Sequence, residues 1–411
     1  MAERAWRKTQ FLEALADPGL RRRARLALDA GPLCEHCLGR LFGQVDSGLA
    51  NPDRGRLVRQ ALDAASSEGP CSVCHNLLDT MDRWAVRAEM ALRAVESDTF
   101  AVGSHTDPRI AEREQALWDT VGNGTAEPYK QEFNRLLGTR LALATGREVD
   151  LAHPDVLVLA DHRTGHIRLQ IEPLYLRGRY RKLVRGMPQC RWKEWPTSIQ
   201  EIIGDPVLRE ARGEDHRLHG CGREDTDVRC LGRRPFILEV RRPQQRHLDW
   251  SALVAEINAS GKVELDTLTP CRRPAVAHLK GLRPDKTYRA IADLASDVPE
   301  VTLAGLAELV GVIRQRTPLR VLKRRSNRLR RRRVLNLTWR QLTPRRLELT
   351  IRAQAGTYIK ELVSGDAGRT HPCVTDVLGV PATCAELDVM DVHVENDQEP
   401  NPNDPGGAPP G

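Results

Sequence analysis

Two C-x2-C pairs constrain this chain more than any other feature: Cys34-Glu35-His36-Cys37 and Cys71-Ser72-Val73-Cys74, with 33 residues between them. Four thiolates drawn to one point complete a tetrahedron, so the intervening chain must fold back on itself. Zinc is the usual occupant, because it accepts four sulfurs without redox chemistry. With every position filled by protein, such a site is structural rather than catalytic. Four buried thiols without an ion are the plainer alternative. A zinc deaminase is disfavoured, because no His-x-Glu precedes Pro70-Cys71 and Glu35 directly follows Cys34. The N-terminus carries charges throughout and no apolar leader, so the ten cysteines read as ligands or buried thiols rather than as a disulfide framework.

A net charge of +8 and a pI near 9.1 favour a polyanionic partner. Residues 320–333 hold nine Lys or Arg in fourteen and no acid, including Arg330 and Arg331. Such density repels itself unless phosphates neutralise it. A second basic segment, 177–185, contains Arg181 and interleaves Tyr180, a pairing of phosphate contact with base stacking. Nucleic acid is the partner that both imply. No run approaches the roughly 18 apolar residues of a membrane span, so the expected protein is soluble and cytoplasmic, with no membrane partner.

Periodicity gives an α+β chain. Residues 5–95 are helical, with one stripe at Leu57, Val58, Ala61 and Leu62 and another at Trp84, Val86, Met90 and Leu92. A helix is expected over 131–143 and strands at 155–160 and 167–171. A domain boundary falls in 192–205, which holds two tryptophans and Pro196. Beyond it, 248–257 and 301–313 read as helices, and Leu347, Leu349, Ile351 and Ala353 alternate as a strand buried on one face. The organisation is therefore an accessory region over 1–190 and a domain with a mixed, mainly antiparallel sheet over 191–394. A tail over 395–411 is too poor in apolar residues to fold.

The remaining signal is a charged loop, Cys221-Gly-Arg-Glu-Asp-Thr-Asp-Val-Arg-Cys230, which sets Asp225 among arginines ahead of an apolar strand. Downstream stand Lys286-Thr-Tyr-Arg-Ala290 and Gly356-Thr-Tyr-Ile-Lys-Glu-Leu362, the latter leading to Gly365-Asp-Ala-Gly-Arg-Thr370. These motifs, in this order, resemble those of tRNA pseudouridine synthases, in particular the archaeal Pus-ten family. Gln315-Arg-Thr-Pro-Leu-Arg-Val321 is similar to the start of that family's thumb loop. The phrases at 34–43, 132–138 and 178–189 are similar to its THUMP-containing, RNA-binding region.

The resemblance implies a pseudouridine synthase domain behind a zinc-bearing, THUMP-like region that grips tRNA. It implies isomerisation of uridine in the T-loop, at positions 54 and/or 55, with no catalytic cofactor; tRNA is the expected partner and a monomer the expected state. Asp225 takes the catalytic role, either adding to C1′ of the ribose or promoting loss of the C2′ proton. Lys360 is implied as its cation, and Tyr288 as the ring that stacks on uracil. Tyr358, Arg223, Leu378, Arg330, Arg331 and Arg181 are expected against the RNA, and Cys34, Cys37, Cys71 and Cys74 on zinc. A rival reading is a non-catalytic, zinc-containing RNA-binding protein that chaperones tRNA.

Overall fold

The computed structural model describes residues 2–45, 48–66, 68–323 and 325–394; the tail at 395–411 lies outside them. The chain divides into two compact units, Met1–Glu172 with Gln244–Arg246, and Pro173–Pro243 with His247–Gly411. This division falls ahead of the 190/191 boundary expected from sequence, because the strand Leu174–Lys182 pairs along its length with Arg229–Arg241 and so belongs to the second unit. The expected boundary at 192–205 instead runs into a helix that begins at Ile199.

The first unit opens with α1 (Ala2–Ala14), α2 (Pro18–Asp29), α3 (Glu35–Arg40) and α4 (Asn51–Ala61). Asp17 starts α2 by accepting the N–H groups of Gly19 and Leu20, and Pro18 occupies the first turn, where its missing N–H costs nothing. Helices α3 and α4 approach so closely that a Cβ on Gly39 would stand 1.8 Å from the Asn51 carbonyl oxygen, which only glycine avoids.

Helix α5 (Met81–Arg93) follows, then β1 (Thr99–His105), α6 (Pro108–Val121), α7 (Tyr129–Thr145), β2 (Glu148–Val149), β3 (Val156–Asp161) and β4 (Ile167–Ile171). The strands form a sheet in the order β2-β1-β3-β4, parallel except for β3–β4, with α5 and α7 against it. The expected helix over 131–143 is α7, and the expected strands are β3 and β4. One stripe needs correction. Met81, Trp84, Ala88 and Leu92 face the core of the unit, whereas Val86 and Met90 are 57% and 70% exposed. A repeat of 3.6 residues places 84, 88 and 92 on one face and turns 86 and 90 away from it.

The second unit is built on β5 (Leu174–Lys182), β6 (Asp215–Gly220), β7 (Arg229–Arg241), β8 (Val263–Leu265), β9 (Thr269–Cys271), β10 (Asp285–Leu294), β11 (Gly311–Arg316), β12 (Leu329–Thr343), β13 (Arg346–Ala353), β14 (Thr370–His371) and β15 (Ala382–His393). Its sheet runs β14-β11-β12-β13-β10-β15-β7-β5-β8, with β6 beside β7 and β9 beside β5. All pairings are antiparallel except β15–β7.

Helices α8 (Ile199–Ala211), α9 (Trp250–Ala259) and α10 (Pro274–Gly281) pack on the β5–β8 half, and α11 (Ile359–Ser364) and α12 (Val374–Leu378) belong to the other. Ser198 caps α8: its Oγ accepts from the Glu201 N–H and donates to the Glu201 carboxylate. The helix expected at 248–257 is α9. The one expected at 301–313 is instead a run of 3₁₀ turns, Glu300–Leu309, followed by β11. Leu303, Leu306 and Leu309 are its buried residues, and their spacing of three fits a helix of three residues per turn.

Tyr180 is a second correction. It points inward from β5, fully buried, with its ring edge-on to Phe236 at 5.8 Å. Its hydroxyl accepts from Gln189 Nε2 at 2.8 Å, so it serves the core and not a base.

Candidate active site and cysteine centre

The loop between β6 and β7 carries Asp225, and its backbone is anchored from β5. The Thr226 carbonyl accepts from Gly186 N–H at 2.9 Å, Met187 N–H at 3.2 Å and Lys182 Nζ at 2.9 Å, while Lys182 also reaches the Asp225 carbonyl at 3.3 Å. Lys182 is buried, and that burial draws its pKa down. Arg185 donates to the Asp227 and Leu387 carbonyls at 2.9 and 2.7 Å and to Asp388 at 2.7 Å. Asp388, itself 1% exposed, also holds Arg229 at 2.9 and 2.8 Å and Arg289 at 3.1 Å. One buried carboxylate thus ties the Asp225 loop, through Arg185, to β7, β10 and β15.

The loop faces a cavity of about 900 Å³ lined by Arg223, Asp225, Asp227, Tyr288, Arg320, Tyr358 and Lys360, with Arg325, Arg330 and Arg332 also on its wall. That size suits one nucleotide with room to enter. The Asp225 side chain is 41% exposed and pairs with Arg320 Nη1 at 2.8 Å. Lys360, in the first turn of α11, stands 3.7 Å from Asp225 and hydrogen-bonds both oxygens of Asp227 at 2.9 and 2.7 Å.

Burial works against the Asp227 carboxylate. Lys360, through its hydrogen bonds and its charge, outweighs that effect and holds the pKa below the usual range. Arg320 also pairs with the buried Glu361 at 2.7 Å. Desolvation opposes its charge, yet the hydrogen bond and charge of Glu361, with Asp225 behind them, raise its pKa.

Tyr288 projects from β10 into the cavity and is 9% exposed. Burial pushes its phenol up to about 12, so the hydroxyl keeps its proton at neutral pH. Tyr358 is held by Gln315, whose amide donates to the Tyr358 carbonyl at 2.9 Å and accepts the Tyr358 N–H at 3.0 Å. Its hydroxyl accepts from Arg325 at 3.3 Å.

The sequence-derived residues therefore divide. Asp225, Tyr288, Lys360, Tyr358, Arg223 and Arg330 line one cavity. Three others do not. Arg331 falls on β12 between Arg330 and Arg332, and strand alternation turns it to the other face, where it is exposed. Arg181 is committed elsewhere, donating to the Leu231 carbonyl at 2.9 Å and to Glu264 at 2.9 Å. Leu378 is buried in the apolar core that includes Leu303 and Leu306.

Sequence reasoning placed Arg320 in the basic run and in the thumb-loop motif but not beside Asp225, put Arg332 only in the basic run, and gave no role to Glu361. The alternation of 330 and 332 on a strand was the available signal for Arg332. Arg320 had none, since its partners lie 95 and 41 positions away.

In the first unit, Cys34, Cys37, Cys71 and Cys74 bring their sulfurs within 4.8 Å of one another. Zinc–sulfur bonds of about 2.3 Å give sulfur–sulfur edges of about 3.8 Å, so the cluster fits a tetrahedral ion. Cys34 caps α3 and accepts the Cys37 N–H at 3.4 Å, and Ser72 N–H bonds the Pro32 carbonyl at 2.7 Å. These bonds shape both knuckles. His36 is turned away, onto the buried Glu132 at 2.7 Å. No helix among the described residues is long and apolar enough to cross a membrane.

Known proteins match both units. A family described as "Pus10, C-terminal" matches residues 175–393, and one described as "Pus10 THUMP domain, archaeal" matches 84–161. Proteins named "tRNA pseudouridine synthase Pus10" are similar along most of the chain. The one from Methanothermobacter marburgensis is 41% identical, covering 90% of this chain and 97% of its own; the one from Methanothrix thermoacetophila is 37% identical, covering 89% and 92%. A solved Cbf5-Nop10-Gar1 complex is a distant likeness at 20% identity and TM-score 0.33, covering 52% of this chain and 48% of that one. By these matches to both units, the chain belongs to the Pus10 family of pseudouridine synthases and is an isomerase.

Proposed function

We propose that the protein isomerises uridine to pseudouridine in the T-loop of tRNA, at position 54, 55 or both, with the Asp225 carboxylate as the reacting group. The observation that carries this reading is the meeting of Asp225, Tyr288 and Lys360 on one cavity whose wall is rich in arginine. The reaction breaks the bond from N1 to C1′ and makes one from C5 to C1′; N1 gains a proton and C5 loses one. No external donor and no net oxidation are needed. Asp225 acts on the ribose, by adding to C1′ or by drawing off the C2′ proton, with the Arg320 and Lys360 cations beside it. Tyr288 offers a π-face to the uracil and, with its proton retained, a hydroxyl that donates.

A uridine within a folded loop must leave its stack to reach such a cavity. Arg223, Arg330 and Arg332 are read as contacts to its flanking phosphates. The first unit, with its THUMP match, is the tRNA-gripping part and the second the catalytic part, working as a cytoplasmic monomer. The four cysteines are read as holding a structural zinc, which would fasten the two knuckles and lend no group to the reaction. The test is carbodiimide mapping of a tRNA transcript treated with the wild type and with Asp225→Asn. Primer-extension stops in the T-loop with the wild type alone support the proposal. Binding of tRNA without any stop would favour an RNA-chaperone role.

A further inference from the structure

Two cations approach one carboxylate in this cavity, and they come from different elements. Arg320 lies in a 3₁₀ turn, Leu319–Val321, within the loop joining β11 to β12, and is 2.8 Å from Asp225 Oδ2. Lys360 belongs to α11, stands 3.7 Å from that same oxygen, and is occupied by both oxygens of Asp227. Moving Lys360 from 3.7 Å to a hydrogen bond of about 2.8 Å needs a shift of only about 1 Å.

Glu361, paired with Arg320 at 2.7 Å, holds it against Asp225.

We propose that Arg320 is the cation that serves Asp225, that Lys360 is within reach of the same oxygen, and that Asp227 is the positioning residue that holds Lys360 back from it. This rests on the reading of Asp225 as the reacting carboxylate. Asp227 therefore sets which cation the reacting group meets.

The test is a mutant cycle under single-turnover conditions at saturating tRNA transcript, so that rate is separated from affinity. Arg320→Gln lowers the rate about tenfold, because Lys360 is still bound by Asp227, and Arg320→Lys restores most of it. The double variant Arg320→Gln/Asp227→Asn recovers to within about threefold of wild type, as Lys360 is released to Asp225. Thermal melting and tRNA affinity of each variant separate this rescue from a change in folding or binding.

A double variant as slow as Arg320→Gln alone, or slower, overturns the proposal. So does Arg320→Gln with full rate. Asp225→Asn is the separate control: if it still forms pseudouridine, the assignment of the reacting carboxylate fails, whatever the cycle shows.

Discussion

Replacing Asp388 by Asn keeps the shape of the side chain and removes the charge that three arginines share. Asp388 is 1% exposed, whereas Arg185, Arg229 and Arg289 are 30%, 31% and 35% exposed. Removing one partner of a buried ion pair costs roughly 3–5 kcal/mol. Arginines that still reach water recover part of that, so about 2–3 kcal/mol is the expected loss.

At about 2–4 °C per kcal/mol for a unit of this size, the melting temperature falls by roughly 4–12 °C. The sign with pH follows from the environment. Burial disfavours the Asp388 carboxylate, but the Arg229 hydrogen bonds and the charges of Arg185, Arg229 and Arg289 outweigh it and lower its pKa. A lowered pKa contributes stability that is whole above the unfolded value near ~3.9 and fades as pH falls through the folded value.

The gap between wild type and Asp388→Asn therefore holds steady from pH 8 to pH 5 and closes only in stronger acid. Thermal unfolding followed by circular dichroism at stepped pH measures it. Equal melting at pH 7, or a gap already gone at pH 5, would refute the reasoning. Arg185 also anchors the Asp227 carbonyl, so the variant should lose turnover below its melting range as well.

Three further outcomes follow from the geometry. Cys34→Ser or Cys71→Ser should lower bound zinc, measured by elemental analysis, and folding yield, with little effect on turnover per bound tRNA; metal-free variants of equal stability would contradict a structural ion. Neutralising Arg330 with Arg332 should flatten the slope of log tRNA affinity against log salt by about 1.4–1.8, while neutralising Arg331 with Arg333 should change it less; equal changes would contradict the two faces assigned to β12. Tyr288→Phe, which keeps the ring, should slow turnover about 10²-fold or more with tRNA affinity little changed, and since the phenol titrates only near about 12, the wild-type rate should show no step from its ionisation between pH 7 and 10.

What sequence could and could not disclose follows from how local each feature is. The helices around 57–62 and 131–143, and the strands at 155–160 and 347–353, declare themselves by period alone. The cysteine pairs, and the phrases holding Asp225, Tyr288 and Lys360, keep their meaning wherever the chain takes them, and the fold brings each set together. Tyr180 was misread because its basic neighbours drew attention, although a period-2 reading of 176, 180 and 182 places it inward on β5. The place of Arg331 off the cavity was hidden for the converse reason, as a run of four arginines masks the alternation that separates 330 and 332 from 331 and 333. The pairing of Arg320 with Asp225 and Glu361, and the hub at Asp388, arise from strands and loops far apart in sequence, and no local pattern encodes them.

The central claim is that Asp225 brings about exchange of the base from N1 to C5, a change that must expel the hydrogen on C5. A tRNA transcript labelled with tritium at C5 of its uridines measures that loss directly. Wild-type protein should release tritium to water up to one equivalent per T-loop uridine modified, and Asp225→Asn should bind the same RNA with no release above background. Release by the variant at the wild-type rate would contradict the account.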